Sequence, residues 1–334
     1  MSESVRVPGV REVAAAAGVS RQTVSRVLNA HPSIRPETRE RVLAAMADLN
    51  FRPNRAARML TTARSRTLGV LAASASSLFG PASSLDAVET AAREAGYFVT
   101  VAHAASLDRV GLEAALDHLL AQAVEGVIVI APQARAQDAM RAVALGVPSV
   151  TLHGAGVSGD DGVFVDQVEG ARLATRRLLA GGHRRIAHLS GPADWSEAIA
   201  RREGFLAEMA EAGAAADAVV SREGDWTAAS AAAIAAELLA DQSITAVFSS
   251  NDQMALGVLH AARGLGRRVP EDLAVVGFDD IPEAAFFAPP LTTVRQDFAE
   301  LGRRCVARLV AHIEGGTPGA VDPVPPQLVI RESA

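Results

Sequence analysis

Apolar positions recur at helical intervals through the first fifty residues and change their rhythm near residue 67. Val10, Val13, Ala14 and Ala17 form one helix face, and Gly18-Val19-Ser20 interrupts it. A second helix starts behind Ser20, a residue type that caps helix N-termini, and buries Val24, Val27 and Leu28. Pro36 suits the first turn of a third helix, whose predicted apolar face is Val42, Leu43, Met46 and Leu49. Phe51-Arg52-Pro53-Asn54 stops it, and a short Ala/Arg stretch leads into the polar link 61–66.

From Thr67 onward, short apolar runs alternate with amphipathic stretches. Strands are predicted at 68–73, 98–103, 126–131, 149–152, 163–166, 186–190, 218–221, 245–249, 273–278 and 291–294, with helices between most of them, among them 111–121, 170–180, 228–239 and 253–264. Such alternation builds parallel sheets covered by helices on both faces, and ligands then sit at the strand carboxyl ends. Ten strands suit two sheets better than one. The expected fold class is α/β: an all-α helix-turn-helix head (1–50), a linker (51–66) and a core of two doubly wound lobes (67–334).

Charge sharpens the division. The net charge is −6, yet all 32 basic residues are arginine, and residues 1–66 hold 12 of them against 5 acids while 67–334 hold 20 against 33. The head is therefore +7 and the remainder −13, the layout of a chain whose one end meets a polyanion. A lone cysteine, Cys305, excludes an internal disulfide and is expected to be structural. The N-terminus lacks the apolar core of a signal peptide and no apolar run approaches about 20 residues, so a cytoplasmic protein with no membrane segment is expected.

With Val24, Val27 and Leu28 turned inward, Arg21, Gln22, Ser25, Arg26 and Asn29 share the opposite stripe of the second helix. Arginine and glutamine can bond bidentately to guanine and adenine edges in the major groove. Farther on, Asn251 and Asp279 follow predicted strands, where a short amide or carboxylate can bond vicinal hydroxyls, and Arg201 adds a donor fork. Trp226 offers an aromatic face to the C–H side of a sugar ring; following Gly-Asp, it is expected at a rim. Other readings stand beside these: Asn251 as a helix N-cap, Trp226 as a core residue, and Asp280-Ile281-Pro282-Glu283 as a capping box. Asp279 and Asp280, neighbours on an exiting strand, diverge and make poor acid–base partners. No phosphate-binding Gly-rich Lys motif, Gly-x-Ser-x-Gly elbow or His-Glu-x-x-His occurs, and the eight histidines show no metal-ligand spacing. Neither catalysis nor a cofactor is expected.

The segment 10–29, with Gln22-Thr23-Val24-Ser25-Arg26-Val27 at its centre, resembles the head of the LacI/GalR repressor family. So do residues 45–51 and Pro53-Asn54-Arg55. The likeness continues through Gly182-His183-Arg184-Arg185-Ile186-Ala187, Asn251-Asp252-Gln253-Met254-Ala255-Leu256-Gly257, Val275-Val276-Gly277-Phe278-Asp279-Asp280 and Pro289-Pro290-Leu291-Thr292-Thr293-Val294. It implies a periplasmic-binding-protein-like core closing on a small effector, and DNA contacts by Ser20, Arg21, Gln22, Thr23, Ser25, Arg26, Asn29 and Thr38. It also implies a hinge helix over 54–60, with Asn54 and Ala57 as contacts and Leu60 as a minor-groove wedge. An isolated segment that short cannot hold a helix in water, so its folding can be coupled to binding. For the effector, the resemblance implies Ser74, Phe79, His153, Arg201, Trp226, Asn251, Asp279, Gln296 and Phe298.

The match has departures. Arg21 replaces a tyrosine, so no operator sequence is carried over, and Arg35 stands where the family's cap before the third helix is Ser or Thr. His153 replaces an aspartate, exchanging a carboxylate that accepts from two hydroxyls for an imidazole that accepts from one. The segment 74–84 also departs. Nothing resembles the leucine-heptad tail by which one member of the family forms tetramers, so a homodimer on a pseudo-palindromic operator is expected. The reading is a repressor of sugar-utilisation genes released by a sugar, β-galactosides first and β-glucosides or other disaccharides second. A corepressor or non-sugar ligand is the alternative.

Overall fold

The computed structural model describes residues 8–28, 31–52, 59, 64–73, 79–152, 162–214, 219–320 and 322–334. They fall into two compact units, Met1–Ser65 and Arg66–Ala334.

The described residues of the first unit include the helices α1 (Val10–Ala16), α2 (Arg21–Leu28) and α3 (Pro36–Asp48). Their inner faces meet in one cluster of Val13, Ala14, Val24, Val27, Val42, Ala45 and Phe51. Leu43 departs from the predicted face and is 50% exposed. At 100° per residue the inward stripe of α3 runs through 42, 45, 46 and 49, and position 43 falls beside it. Gly18, at φ +63°, makes the left-handed turn between α1 and α2 that a Cβ would oppose.

Among its described residues, the second unit carries two sheets. In the first lobe, β1 (Thr67–Ala72), α4 (Phe79–Glu94), β2 (Phe98–His103), α5 (Arg109–Leu120), β3 (Gly126–Ile130), α6 (Ala134–Met140), β4 (Ser149–Leu152) and β5 (Gly162–Val163) follow in turn. The strands are parallel in the order β2-β1-β3-β4-β5. All six residues of β1 and all five of β3 are buried, as expected of strands covered on both faces.

The second lobe runs α7 (Gln167–Ala180), β6 (Ile186–Ser190), α8 (Ser196–Glu211), β7 (Val219–Glu223), α9 (Ala228–Leu238), β8 (Ala246–Ser249), α10 (Asp252–Gly264), β9 (Ala274–Asp279), a 3-10 turn (Pro282–Phe286) and β10 (Thr292–Arg295). Then α11 (Phe298–Ile313) returns to pack on α4 and β4 of the first lobe, and β11 (Gln327–Val329) rejoins the second. Its sheet has the order β11-β10-β9-β8-β6-β7.

The strand β11 is an addition to the sequence reading, and it pairs antiparallel with β10. Three residues at a sheet edge give too short an alternation to register in the sequence. The predicted strand 163–166 shrinks to Gly162–Val163, because Val165 bridges Val324 instead and so ties two of the chain's crossings between lobes. Cys305 is fully buried in the first-lobe core.

Candidate functional site

In the head, the Ser20 hydroxyl accepts from the Thr23 amide at 3.1 Å and lies 2.9 Å from the Thr23 hydroxyl, so the polar pair starts α2. Burial of Val24 and Val27 leaves Arg21, Gln22 and Arg26 exposed on the outer face, with Ser25 half-buried beside them. Thr38 is half-buried in the first turn of α3. That helix starts from Arg35 without a side-chain cap and with Pro36 in its first turn, so a position that would hold a hydroxyl instead presents a cation. Asn29, Asn54, Ala57 and Leu60, together with Ser74 and His153, lie outside the described residues.

In the core, the strand ends of the second lobe converge on a cleft lined from both lobes. Arg201 projects into it from α8 and is 4% exposed. Its Nε donates to Gln167 Oε1 at 2.8 Å, and Gln167 Nε2 donates to Gln296 Oε1 at 2.8 Å. Gln296 Nε2 donates to Asp279 Oδ1 at 2.7 Å, and the same oxygen stands 3.4 Å from Arg201 Nη2. The four side chains thus form a closed ring, in which every step has a buried donor and a buried acceptor. Arg201 Nη1 also donates to the Ser250 carbonyl, and the guanidinium lies 3.8 Å over the Phe278 ring centroid.

Burial pulls the Arg201 pKa below the usual arginine value, and Asp279, then Glu197 and Asp252, push it back. A buried ion pair is held by such compensation and is strongly destabilised when one partner is removed. Asp252, fully buried beneath, has its pKa raised well above the carboxylate range by burial and by Asp279. It accepts from the Thr293 hydroxyl at 2.6 Å and from the Ile281 amide at 2.9 Å.

The cleft walls are aromatic: Phe79 from the first lobe, Trp195 and Trp226 from the second. Trp226 is 6% exposed and joins the second-lobe core, so the expected rim position is corrected to a buried wall. Its ring reaches that depth because residue 191 is glycine; a Cβ there would come within 2.1 Å of the indole. Asn251 caps α10, accepting from the Met254 amide at 2.8 Å, while its Nδ2 donates to the Trp226 carbonyl and to Gln253 Oε1, each at 3.1 Å. The capping reading of Asn251 is therefore realised, and one Oδ1 lone pair remains for a ligand.

The capping box read at Asp280 does not form. Ile281 precedes the 3-10 turn, and Asp280 is held by Arg295 and Arg331, both at 2.7 Å. Two guanidiniums outcompete a backbone amide for one carboxylate. Asp279 and Asp280 diverge as expected, one into the ring and one into this clamp. Phe298 packs edge-on to Phe79 at 5.8 Å in the first-lobe core and supports the cleft wall from behind.

Three non-glycine residues here carry positive φ: Trp226 (+71°), Asp279 (+108°) and Asp280 (+53°). Strain of this kind, of order 1–3 kcal/mol per residue, persists where surroundings over-determine it and clusters at functional sites.

Sequence reasoning missed Gln167, Trp195, Glu197 and the support behind the ring. Gln167 lies ahead of the predicted helix, which begins at 170, whereas the helix itself starts at Gln167. The pair Asp166-x-x-Glu169 is a start signal, realised by Asp166 accepting from the Glu169 amide at 2.9 Å. Behind Arg201, His188 is fully buried between Phe205 and Phe248 and is hydrogen-bonded to Ser250 at 2.8 Å and Ser221 at 3.2 Å. Burial, reinforced by Arg202 and Arg201, brings its pKa down to about 3 and keeps it neutral.

Comparison with known proteins places both halves. The model of bacterial regulatory proteins, lacI family, matches residues 10–54, and that of the periplasmic binding protein-like domain matches residues 175–334. The lactose operon repressor of Escherichia coli (strain K12) is 37% identical over 328 residues, 96% of this chain and 89% of the repressor. The HTH-type transcriptional regulator CelR of Thermobifida fusca is 37% identical over 350 residues, 99% of each. Among solved structures, the lac repressor dimer bound to operator and the anti-inducer ONPF superposes with a TM-score of 0.83 at 34% identity, covering 98% of this chain and 99% of that one. The CelR–cellobiose complex gives 0.69 at 34% identity, covering 98% and 100%. By full-length identity and by both matched models, this chain belongs to the LacI family of bacterial regulatory proteins.

Proposed function

We propose that this chain is a cytoplasmic transcriptional repressor that binds a pseudo-palindromic operator as a homodimer and is released from it by a sugar. The observation that carries the effector half is the closed ring of Arg201, Gln167, Gln296 and Asp279 inside an aromatic-walled cleft. A fixed fork beside a fixed carboxylate supplies donors and acceptors to vicinal hydroxyls, and Trp226 and Phe79 supply apolar faces. The direct sugar contacts are Arg201, Asp279, Gln296 and the open lone pair of Asn251. Ser74 and His153 join them by family resemblance alone. Phe298 acts by holding Phe79.

On DNA, Arg21, Gln22 and Arg26 read base edges, and Ser20, Thr23, Ser25, Asn29 and Thr38 contact the backbone around them. Asn54, Ala57 and the wedge Leu60 belong to a hinge that folds on the operator. The relatives favour this pairing of roles, since one solved relative holds operator DNA and another holds cellobiose. β-Linked disaccharides are the first class to test, galactosides and glucosides alike. Turnover of the bound sugar is not part of the function.

The test has two stages. A thermal-shift screen of the full chain against mono- and disaccharides identifies the ligand, and duplex selection followed by gel-shift titration measures release. A sugar that raises the melting temperature and weakens the selected complex supports the reading. A ligand that tightens the complex makes the chain a corepressor-dependent regulator. No duplex binding under any condition overturns the repressor assignment.

A further inference from the structure

Trp195 has two engagements at once. Its side chain is buried in the cleft wall, edge-on to Trp226, with centroids 5.6 Å apart and planes at 70°. Its main chain, immediately before α8, forms an antiparallel bridge to Gln133 of the first lobe. In that bridge the Ser196 amide donates to the Pro132 carbonyl at 2.9 Å, and the Ala134 amide donates to the Asp194 carbonyl at 2.8 Å. Side chains extend the clasp. Gln133 Nε2 donates to Asp194 Oδ2 at 3.2 Å, and Gln137 Nε2 donates to Ser196 Oγ at 2.9 Å and to the Ala131 carbonyl at 2.8 Å. Arg135 adds an exposed ion pair to Asp194 at 3.5 Å.

Two indoles nearly at right angles cannot both stack on one pyranose. The polar ring belongs to the Trp226 end, where the Arg201 guanidinium lies 5.7 Å from the Trp226 ring centroid. A sugar ring held by Arg201 and Asp279 therefore has Trp226 as its platform, and Trp195 is left for whatever the ring carries. We propose that Trp195 is the specificity wall for the second ring of a two-ring effector. Because its own backbone forms the clasp, occupancy at this wall acts directly on the junction between lobes. The inference rests on the sugar-effector reading above and narrows it: a single hexose fills the Trp226 end without straining the clasp, whereas a disaccharide strains it.

Isothermal titration of the full-length chain with cellobiose and glucose, and with lactose and galactose, tests this. In Trp195→Ala, the disaccharide that the wild-type chain binds is expected to bind about tenfold more weakly, while its monosaccharide changes by less than about twofold. Trp195→Phe, which keeps an aromatic wall and guards against a misfolded variant, should stay within about threefold for both. Gln137→Ala, which touches no ligand, should bind the disaccharide about threefold more tightly, because less of the clasp resists, and leave the monosaccharide unmoved. Equal losses for one- and two-ring sugars in Trp195→Ala, or none, overturn the role of Trp195 while leaving the sugar reading intact. An unchanged disaccharide affinity in Gln137→Ala overturns the link to the clasp. A wild-type chain that binds no mono- or disaccharide of the thermal-shift screen overturns both readings together.

Discussion

Gln167 makes no charge and is buried, yet both ends of its amide are committed: Oε1 to Arg201 and Nε2 to Gln296. Removing it strands the Arg201 Nε and the Gln296 carbonyl oxygen, both on buried side chains. Each orphaned buried group costs about 1–3 kcal/mol. Gln167→Ala is therefore expected to lower unfolding free energy by about 2–6 kcal/mol in urea titration and to weaken sugar binding at the same time. A loss below about 0.5 kcal/mol, the range of neutral surface changes, would mean that the ring does not organise the cleft.

His188 offers a second residue-level test, with a defined sign. Its folded pKa of about 3 lies below the ordinary value of 6.5, so the unfolded chain binds more protons between those values. Its contribution to stability is fully present above pH 6.5 and is lost as pH falls toward 3. Asp252, with its raised pKa, acts in the opposite direction, so a pH profile of the wild-type chain alone mixes the two. The comparison that isolates His188 is with His188→Gln, which keeps polar atoms near Ser221 and Ser250. Between pH 6 and 4 the wild type should lose stability more steeply than the variant, by up to about 1.4 kcal/mol per pH unit. Parallel pH profiles would show that His188 is not held neutral by its burial.

At the scale of elements, close helix packing sets the frame for the cleft. Gly257 on α10 faces α9, where a Cβ would come within 2.2 Å of the Ala228 carbonyl oxygen and 2.8 Å of the Ala232 amide nitrogen. Both obstacles are backbone and cannot rotate away. Gly257→Ala should thus destabilise the chain by about 1–3 kcal/mol, the range for overpacking, despite alanine's better helix propensity. A neutral or stabilising result in calorimetry would show that α9 and α10 separate easily.

The same scale explains what the sequence disclosed. Apolar runs such as 68–73 and 126–131 announced buried parallel strands, because burial on both faces leaves no room for polar alternation. Arg201, Asn251, Asp279 and Gln296, which line the candidate cleft, were legible from their family motifs and, for two of them, from following strands. Trp195 was not, because a tryptophan before a helix carries no signal until the fold brings Gln133 opposite it. Gln167 and His188 act through partners 129 and 62 residues away, and no local pattern encodes such a pairing.

For the whole molecule, the division of charge into a +7 head and a −13 remainder bears on how two ligands can influence each other. A neutral sugar adds no field, so it can weaken operator binding only by favouring an arrangement of the chain that grips DNA less well. Linkage then fixes the reverse effect: if sugar lowers operator affinity by some factor, operator lowers sugar affinity by the same factor. Titrating sugar into free protein and into protein saturated with duplex, alongside duplex titrations with and without sugar, measures both factors independently. They are expected to agree, and couplings of this kind run at about 5- to 150-fold. Salt separates this coupling from direct electrostatics, because arginine–phosphate contacts release counterions when they form. Raising salt should weaken the duplex steeply while leaving sugar affinity of the free chain nearly constant. A sugar that fills the cleft, as shown by its loss in Gln167→Ala, yet leaves duplex affinity untouched would break the link between the two units on which the repressor reading depends.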